Sequence, residues 1–319
     1  MHLRVTRREM VQRALRFGRR LPQLIRDGHY RDAIIARTFT RALAQLYPDL
    51  RYLGIDDEGG VTFIHLTDSV ITPYILASGG FQKVDFLRVR ELAQRYAPRP
   101  TNGVFVDIGA NVGTSTLYAM RSGTFARALC MEPSPDNLEA LRLNLTANDF
   151  EDRVTVVPAA CGAGLGTAQL WLSEKTQGDH RVGSVGASPP STHAPSIKVE
   201  LTTLDAALSH AEIDPSEVAL VWIDTQGHEP DVLAGATATI AGGAPFSIEF
   251  WPGQYAKAGK LEQIVHIVSR SFASFIDVSD PQMTVRPMSD LSALSAQLLS
   301  TSSHTDLLLI PPLKASALA

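Results

Sequence analysis

Two cysteines in 319 residues leave this chain without the material for a disulfide scaffold. Cys130 stands inside an apolar run and Cys161 just after another, so both read as buried, unpaired thiols in a reducing compartment. No window approaches the roughly 20 continuous apolar residues of a membrane-spanning helix. No apolar stretch follows Met1, so a secretory signal is not expected and the expected location is cytoplasmic. Excess positive charge is missing as well: 29 Lys and Arg face 33 Asp and Glu, which argues against a global nucleic-acid-binding surface. No metal-ligand spacing recurs, so no metal site is expected. What is there is ordinary for a globular protein, 45% hydrophobic and 19% charged, with room for one large α/β domain and an accessory region.

A further absence is more telling. Val104, Phe105, Val106 and Ile108 form a short apolar run that leads into Gly109, Asn111 and Gly113. A helix-compatible stretch from Thr114 follows, and then a second apolar run, Ala128 to Met131, that ends in Glu132. Strand, glycine turn, helix, strand and acid, with the acid about 20 residues beyond the turn, is the layout of a nucleoside-binding βαβ unit. The dinucleotide fingerprint G-x-G-x-x-G is not completed, because the string reads D-x-G-A-N-x-G. Glycine lets a ligand approach the backbone closely, and a helix start offers unpaired N–H groups. Asp107 just before the turn would repel a pyrophosphate but suits a ligand carrying an ammonium group and a sulfonium. S-adenosylmethionine (SAM) is such a ligand. Asp107, Gly109, Asn111 and Gly113 are therefore expected at its methionine end and Glu132 at its ribose diol.

The strings VDIGANVGTST, EPSPDNLEALRLNL and WIDTQGHEPDVLAGA, in this order and spacing, resemble the FkbM family of SAM-dependent methyltransferases. The resemblance runs from about Phe105 to Phe275. It implies a class I methyltransferase fold: an α/β, Rossmann-like three-layer sandwich with a mostly parallel sheet and an antiparallel edge, here with a helical N-terminal extension. It also implies O-methylation, usually of a sugar or natural-product hydroxyl. In that fold Asn137 sits on the cofactor side of a helix start, and Ala160 and Cys161 form a small apolar wall at the adenine. One departure stands out, because the family more often carries an acid–glycine pair where Gln226 and Gly227 lie. The substitution removes one candidate base and shifts attention to Asp224 and His228.

Three segments divide the chain: 1–50, a basic helical extension; 51–100, a hairpin and helix forming a cap or lid; and 101–313, the methyltransferase domain. Met10, Ala14, Phe17, Leu21 and Leu24 lie at helical spacing beside many arginines, and Ile34 to Leu46 suggest a second helix closed by Pro48. The plain reading is a cap with a solvated arginine face; the alternatives are a dock for an acidic partner or an anionic surface, and a transit peptide. Tyr52–Ile55 and Val61–Ile64 read as a hairpin. Phe81, after Gly79 and Gly80, is a lid candidate able to face a sulfonium. Between strands at Ala168–Leu172 and Ile197–Leu201 runs a long Gly, Ser and Pro-rich loop with Asp179, His180 and Arg181 at its start, expected to line the acceptor pocket. Asp205 is expected to cap the helix that begins at Ala206. Strands at Phe275–Val278 and Leu307–Ile310 are expected to form the antiparallel edge.

Asp224 ends a buried strand, Ala219–Ile223, at the place where such enzymes meet their acceptor. Glu249 lies inside the apolar strand Phe246–Phe250, which is costly unless the carboxyl is paired or faces a site. Asp224, His228 and Glu249 are thus the catalytic candidates. The expected activity is SAM-dependent O-methylation of a small-molecule or glycan hydroxyl. The alternatives are an amine, protein or nucleic-acid acceptor, a nicotinamide-binding oxidoreductase, and a non-catalytic binding module.

Overall fold

The computed structural model describes residues 28–57, 59–100, 102–173, 176–183 and 195–312. The helix expected over Met10–Leu24 and residues 184–194 of the long Gly, Ser and Pro-rich loop lie outside them. The chain enters through α1 (Gly28–Leu46), which stops ahead of Pro48 and buries Ile35 and Ala36. The hairpin β1 (Tyr52–Asp57) and β2 (Gly60–His65) follows, in antiparallel register. The helices α2 (Ile71–Ser78) and α3 (Lys83–Tyr96) lead to the central unit.

That unit alternates as β3 (Val104–Ile108), α4 (Thr114–Arg121), β4 (Arg127–Met131), α5 (Pro135–Thr146) and β5 (Val154–Val157). The chain then leaves the main sheet for four strands: β6 (Ala160–Cys161), β7 (Gly166–Trp171), β8 (Arg181–Gly183) and β9 (Ser196–Thr202). They form a separate sheet in the order β6-β9-β7-β8, which the sequence reading did not anticipate. After α6 (Leu204–His210), the chain returns through β10 (Val218–Ile223), α7 (Glu229–Ala234), α8 (Thr237–Gly242) and β11 (Phe246–Phe250). It closes with α9 (Pro252–Lys257), α10 (Leu261–Ser271), β12 (Ser274–Asp277), β13 (Val285–Pro287), α11 (Leu291–Thr301) and β14 (Thr305–Ile310).

The main sheet has eight strands in the order β13-β12-β14-β11-β10-β3-β4-β5. From β5 to β11 every pairing is parallel, and β14 runs against both of its neighbours, β11 and β12. The two expected edge strands pair antiparallel at this end of the sheet, with one strand more outside them. β12 points the same way as the parallel strands because it is antiparallel to β14, and the reversed strands are β14 and the extra edge strand β13. Both faces are covered by helices, so the core strands are apolar on both sides. Val104, Val106 and Ile108 face one core with Val221, Ile223 and Phe246. Phe105 faces the other with Leu220, Trp222 and Leu308. Asp107, one pleat step from Phe105 in the same direction, is carried on that second face. From β3 the strand order runs one way through β4 and β5 and the other way through β10 and β11. A crevice therefore opens at the carboxyl ends between β3 and β10, the topological switch point at which open α/β sheets bind ligands.

Among the described residues no helix is long and apolar enough to cross a membrane. Cys130 and Cys161 are buried and free. Asp205 does not cap its own helix: the Thr203 side chain accepts from Ala206 N at 3.0 Å at the start of α6. The Asp205 carboxylate instead accepts from the Thr239 and Ala238 backbone N–H groups, at 3.0 and 2.7 Å, and so caps α8. Position in the first turn of its own helix, past the cap, leaves this side chain free to reach the neighbouring helix start.

The hairpin is fastened to the core by buried amides of α5. Asn144 accepts from Phe63 N at 2.5 Å and donates to Phe63 O at 2.9 Å and Val112 O at 2.7 Å. Asn144→Ala would strand three buried backbone groups at once, so a loss of about 2–4 kcal/mol is expected. Urea unfolding followed by fluorescence should show a lower midpoint at unchanged slope; a change below about 0.5 kcal/mol would mean that water satisfies these groups.

Candidate active site

A cavity of about 480 Å³ lies in the switch-point crevice, within the size range of small-molecule and cofactor pockets. Its wall contains Asp107, Gly109, Asn111, Glu132, Asn137 and Ala160 from the first set of expected residues. Phe81, Asp179, His180, Arg181, Asp224 and Glu249 complete it from the second. Gly113 and His228 do not line it.

The cofactor end is shaped by backbone. Gly109 N and Ala110 N both donate to Met131 O, at 2.9 and 3.1 Å, which bends the chain back toward β4 as soon as β3 ends. Gly109 has φ of 82°, and a Cβ there would stand 2.0 Å from the Asp224 carbonyl oxygen. No other residue fits. Asn111 also takes a left-handed conformation, and its N–H donates to Glu132 Oε2 at 2.9 Å. Glu132 Oε1 accepts from Ser134 N at 2.7 Å and from the Asn137 amide at 3.4 Å. Gly113 serves differently from expectation: it starts α4 with φ of 87°, and a Cβ would meet the Leu141 side chain at 2.4 Å. Its role is close packing of α4 against α5, not ligand contact.

Over this end lies a strap from the second sheet. Asp68 accepts from Thr176 Oγ1 at 2.7 Å and Gln177 N at 2.6 Å, and Asn137 Nδ2 donates to Gln177 O at 3.2 Å. His180 belongs to the strap's scaffolding. Its Nδ1 accepts from Ser173 N at 3.0 Å and its Nε2 meets Gln177 Oε1 at 2.9 Å, so both ring nitrogens are engaged. Burial holds its pKa below the usual histidine value.

The residues fit the expected adenosyl ligand on observations within the cavity. Asn111 Oδ1 and Asn137 Oδ1 are buried without a hydrogen-bond partner, two acceptors for ligand donors. The Glu132 carboxylate keeps unused lone pairs at the end of β4, in reach of a diol. Burial raises the Glu132 and Asp107 pKa values to about 7 each, in Asp107 against the hydrogen bond from Thr116 Oγ1 at 2.6 Å. A cationic ligand would return Asp107 to its charged form.

The acceptor end is carboxyl-rich. Asp224 Oδ1 accepts from Gln226 Nε2 at 2.7 Å and Oδ2 from Gln82 Nε2 at 3.3 Å. Both glutamines sit at positive φ, 56° and 53°, a conformation that costs an L-residue roughly 1–2 kcal/mol. Burial raises the Asp224 pKa while those two amides oppose the rise. Glu249 Oε1 lies 3.5 Å from His304 Nε2, and Oε2 is buried without a partner. Burial first, and then the neighbouring Asp224, Glu229 and Asp306, push the Glu249 pKa to about 9. Arg181 binds Asp179 at 2.8 Å and lies 5.8 Å over the Trp251 ring.

His228 is corrected. It is buried, with Nδ1 3.2 Å from Asp231 Oδ2, an oxygen also held by Lys260. Burial lowers its pKa to about 4. Positive φ at Gln226 and Gly227 turns the chain so that this ring points away from Asp224's cavity. Four residues that organise the site were missed in the sequence. Glu229 Oε1 gathers Thr225 N at 3.0 Å, Thr225 Oγ1 at 2.9 Å and Gly227 N at 3.3 Å, shaping the loop after β10. An acid in a first helical turn beside Pro230 was its signal. Asp68, three residues before Ile71, carried an N-cap signal. Gln82 and His304 carried none.

A family model described as "Methyltransferase FkbM domain" matches residues 107–268. Over 158 residues the chain is 27% identical to "Methyltransferase sdnD" of Sordaria araneosa, covering 43% of this chain and 61% of that protein. Over 159 residues it is 26% identical to "Methyltransferase 1" of Beauveria bassiana (strain ARSEF 2860), covering 44% and 60%. The chain thus spans about three fifths of the length of these curated relatives. Among solved structures, the methyltransferase FkbM from Methylobacillus flagellatus KT aligns with a TM-score of 0.40 at 12% identity, covering 85% of this chain and 70% of that one.

The Glu249 carboxyl makes stability depend on pH. Its folded pKa of about 9 lies above the ordinary value of 4.5, so the folded state binds a proton that the unfolded state has released. That contribution is complete below the unfolded pKa and is lost as pH rises through the folded one. Relative to Glu249→Gln, the wild type should lose stability steadily from about pH 4.5 to about pH 9. A difference in urea midpoint between the two proteins that stays flat over this range would refute the assignment.

Proposed function

Because the chain belongs to the FkbM family of methyltransferases, whose methyl donor is S-adenosylmethionine, we propose that it is a SAM-dependent O-methyltransferase acting on a hydroxyl of a sugar or small natural product. The observation that carries this reading is the single cavity joining Glu132, the Gly109 bend and Asp224. On this reading Glu132, Asn111 and Asn137 hold the nucleoside and Asp107 and Gly109 shape the methionine end. When bound, SAM supplies a methyl carbon whose bond to sulfur breaks as the acceptor oxygen bonds to it. Asp224 accepts the proton of the acceptor hydroxyl, with Gln82 and Gln226 aiming its carboxylate. An aliphatic hydroxyl is a weak acid, so such a base is worth about 10²–10⁴-fold. Positioning by the walls of the cavity adds several kcal/mol. Residues 51–100 act as the cap over the cofactor, with Phe81 packed edge-on against Tyr74 at 5.7 Å.

A second reading has a specific observation behind it. The carboxyls of Asp224 and Glu249 at the acceptor end would also suit an amine, which arrives as a cation.

Calorimetry with SAM should show binding that Glu132→Ala weakens about 10–100-fold, the worth of hydrogen bonds to a charged group. Asp224→Asn should leave that affinity within about threefold and lower methyl transfer by about 10²–10⁴-fold. Binding of NAD in place of SAM, or full turnover by Asp224→Asn, would overturn the reading.

A further inference from the structure

Three carboxyl groups stand in one row across three adjacent strands. Ile223 pairs with Ile248 in the parallel register of β10 and β11, so Asp224 and Glu249 are the next residues along each strand. Glu249 in turn pairs with Asp306 of β14. All three project from the same face of the sheet, two residues beyond the matched Trp222, Ser247 and Leu308. They are not equivalent. Asp224 receives an amide N–H on each oxygen. Glu249 receives none on Oε2, which is buried and partnerless, and its side chain lines the cavity. Asp306 is not part of the cavity wall.

Two adjacent carboxyls in a desolvated site do not both ionise, and the proton settles on the one with fewer donors. The groups facing Glu249 are Asp224, Asp306 and Glu229, which favour its neutral form, and Arg181, which opposes it. His304 approaches Oε1 but is half exposed. The balance leaves the proton on Glu249, whose pKa stands near 9. A neutral carboxylic acid is a donor, and its unpartnered oxygen is the one without a protein acceptor.

Resting on the O-methyltransferase reading, we propose that Glu249 is a neutral acid donating a hydrogen bond to a second oxygen of the acceptor, beside the hydroxyl whose proton Asp224 accepts. The acceptor class is therefore an alcohol flanked by another oxygen, such as one hydroxyl of a vicinal diol. Glu249 is a catalytic residue of opposite sense to Asp224: one carboxyl gives a hydrogen bond where the other takes a proton. The pair excludes an acceptor with only one polar atom, because the buried Glu249 proton would then find no partner.

Two measurements on the full chain test this. Infrared difference spectra of wild type against Glu249→Gln, recorded at about pH 8, below the Glu249 pKa of about 9, should contain a carboxylic-acid C=O stretch that the variant lacks. An ionised Glu249 in that spectrum overturns the proposal whatever turnover shows. The second measurement is methyl transfer from SAM to trans-1,2-cyclohexanediol, cyclohexanol and trans-2-aminocyclohexanol. The diol should be methylated on oxygen at least tenfold faster than the mono-alcohol. Glu249→Gln, which keeps a neutral donor, should stay within about tenfold of wild type on the diol, and Glu249→Leu should fall about a hundredfold. The alkaline limb of the wild-type pH profile should be absent in Glu249→Gln. Equal rates on diol and mono-alcohol, including no product from either, overturn the acceptor class, and so does loss in Glu249→Gln equal to that in Glu249→Leu. N-methylation of the amino alcohol with the acid band present would sink the O-methyl reading while leaving the proton on Glu249.

Discussion

The loop after β3 and the loop after β10 touch at one point, where Gly109 passes the Asp224 carbonyl closely enough that a Cβ would stand 2.0 Å away. This contact fixes the distance between the two halves of the cavity. On one side the chain turns back to Met131, presenting Asn111 to Glu132. On the other Asp224 N donates to Ile108 O at 3.0 Å, which locks the acceptor loop to the end of β3. A larger residue at Gly109 would push the Glu132 end and the Asp224 end of the cavity apart together. The parallel register of β3 with β4 and β10 brings the loops to the same height, and the missing side chain lets them close.

Concentrating carboxyls at this junction opposes folding, since a buried charge is costly without a partner. The molecule answers each in a different way. Asp107 has a hydroxyl donor, Thr116, itself 2.9 Å from Cys130 Sγ. Glu132 has two backbone N–H groups and an amide. Glu229 is spent on the loop it organises. Asp224 draws its two amides from glutamines held in left-handed conformations, so backbone strain is accepted in order to aim them. Glu249 alone of these accepts no hydrogen bond, and burial beside other carboxyls pushes its pKa up to about 9. Difference in solvation by fixed dipoles sets identical functional groups apart in their affinity for a proton.

The βαβ unit was legible in sequence because its parts are consecutive: the glycine bend, α4, β4 and Glu132 follow one another, and each announces itself by residue type. So was the hairpin, from its alternating apolar residues and central glycines. The acceptor end was legible only as single residues. Asp224 and Glu249 could be picked out as acids at strand ends, but Gln82 meets Asp224 from 142 positions away and leaves no local pattern. His228 misled because proximity in sequence was read as proximity in the cavity, while two consecutive positive-φ residues reverse the chain between Asp224 and the helix start. Of the second sheet only β7 and β9 were legible, because β6 is two residues long and β8 three, too short for alternation to register.

That second sheet supplies what the βαβ unit lacks, a cover. Its strap is bound to two other parts of the chain through single side chains that have other duties. Asp68 holds Thr176 and Gln177 with one carboxylate oxygen and, with the other, the N–H groups of Val70 and Ile71, at 2.8 and 2.6 Å, where α2 begins. Asn137 divides one amide nitrogen between Glu132 and Gln177. Gly178 completes the closure, since a Cβ there would meet Ile71 at 2.6 Å and Asn111 at 3.2 Å. The start of α2, the strap and the carboxylate of β4 are therefore one hydrogen-bonded unit. Displacing the strap breaks bonds to Asp68 and Asn137 together, so access to the Glu132 end of the cavity is coupled to the start of α2 through the same two side chains.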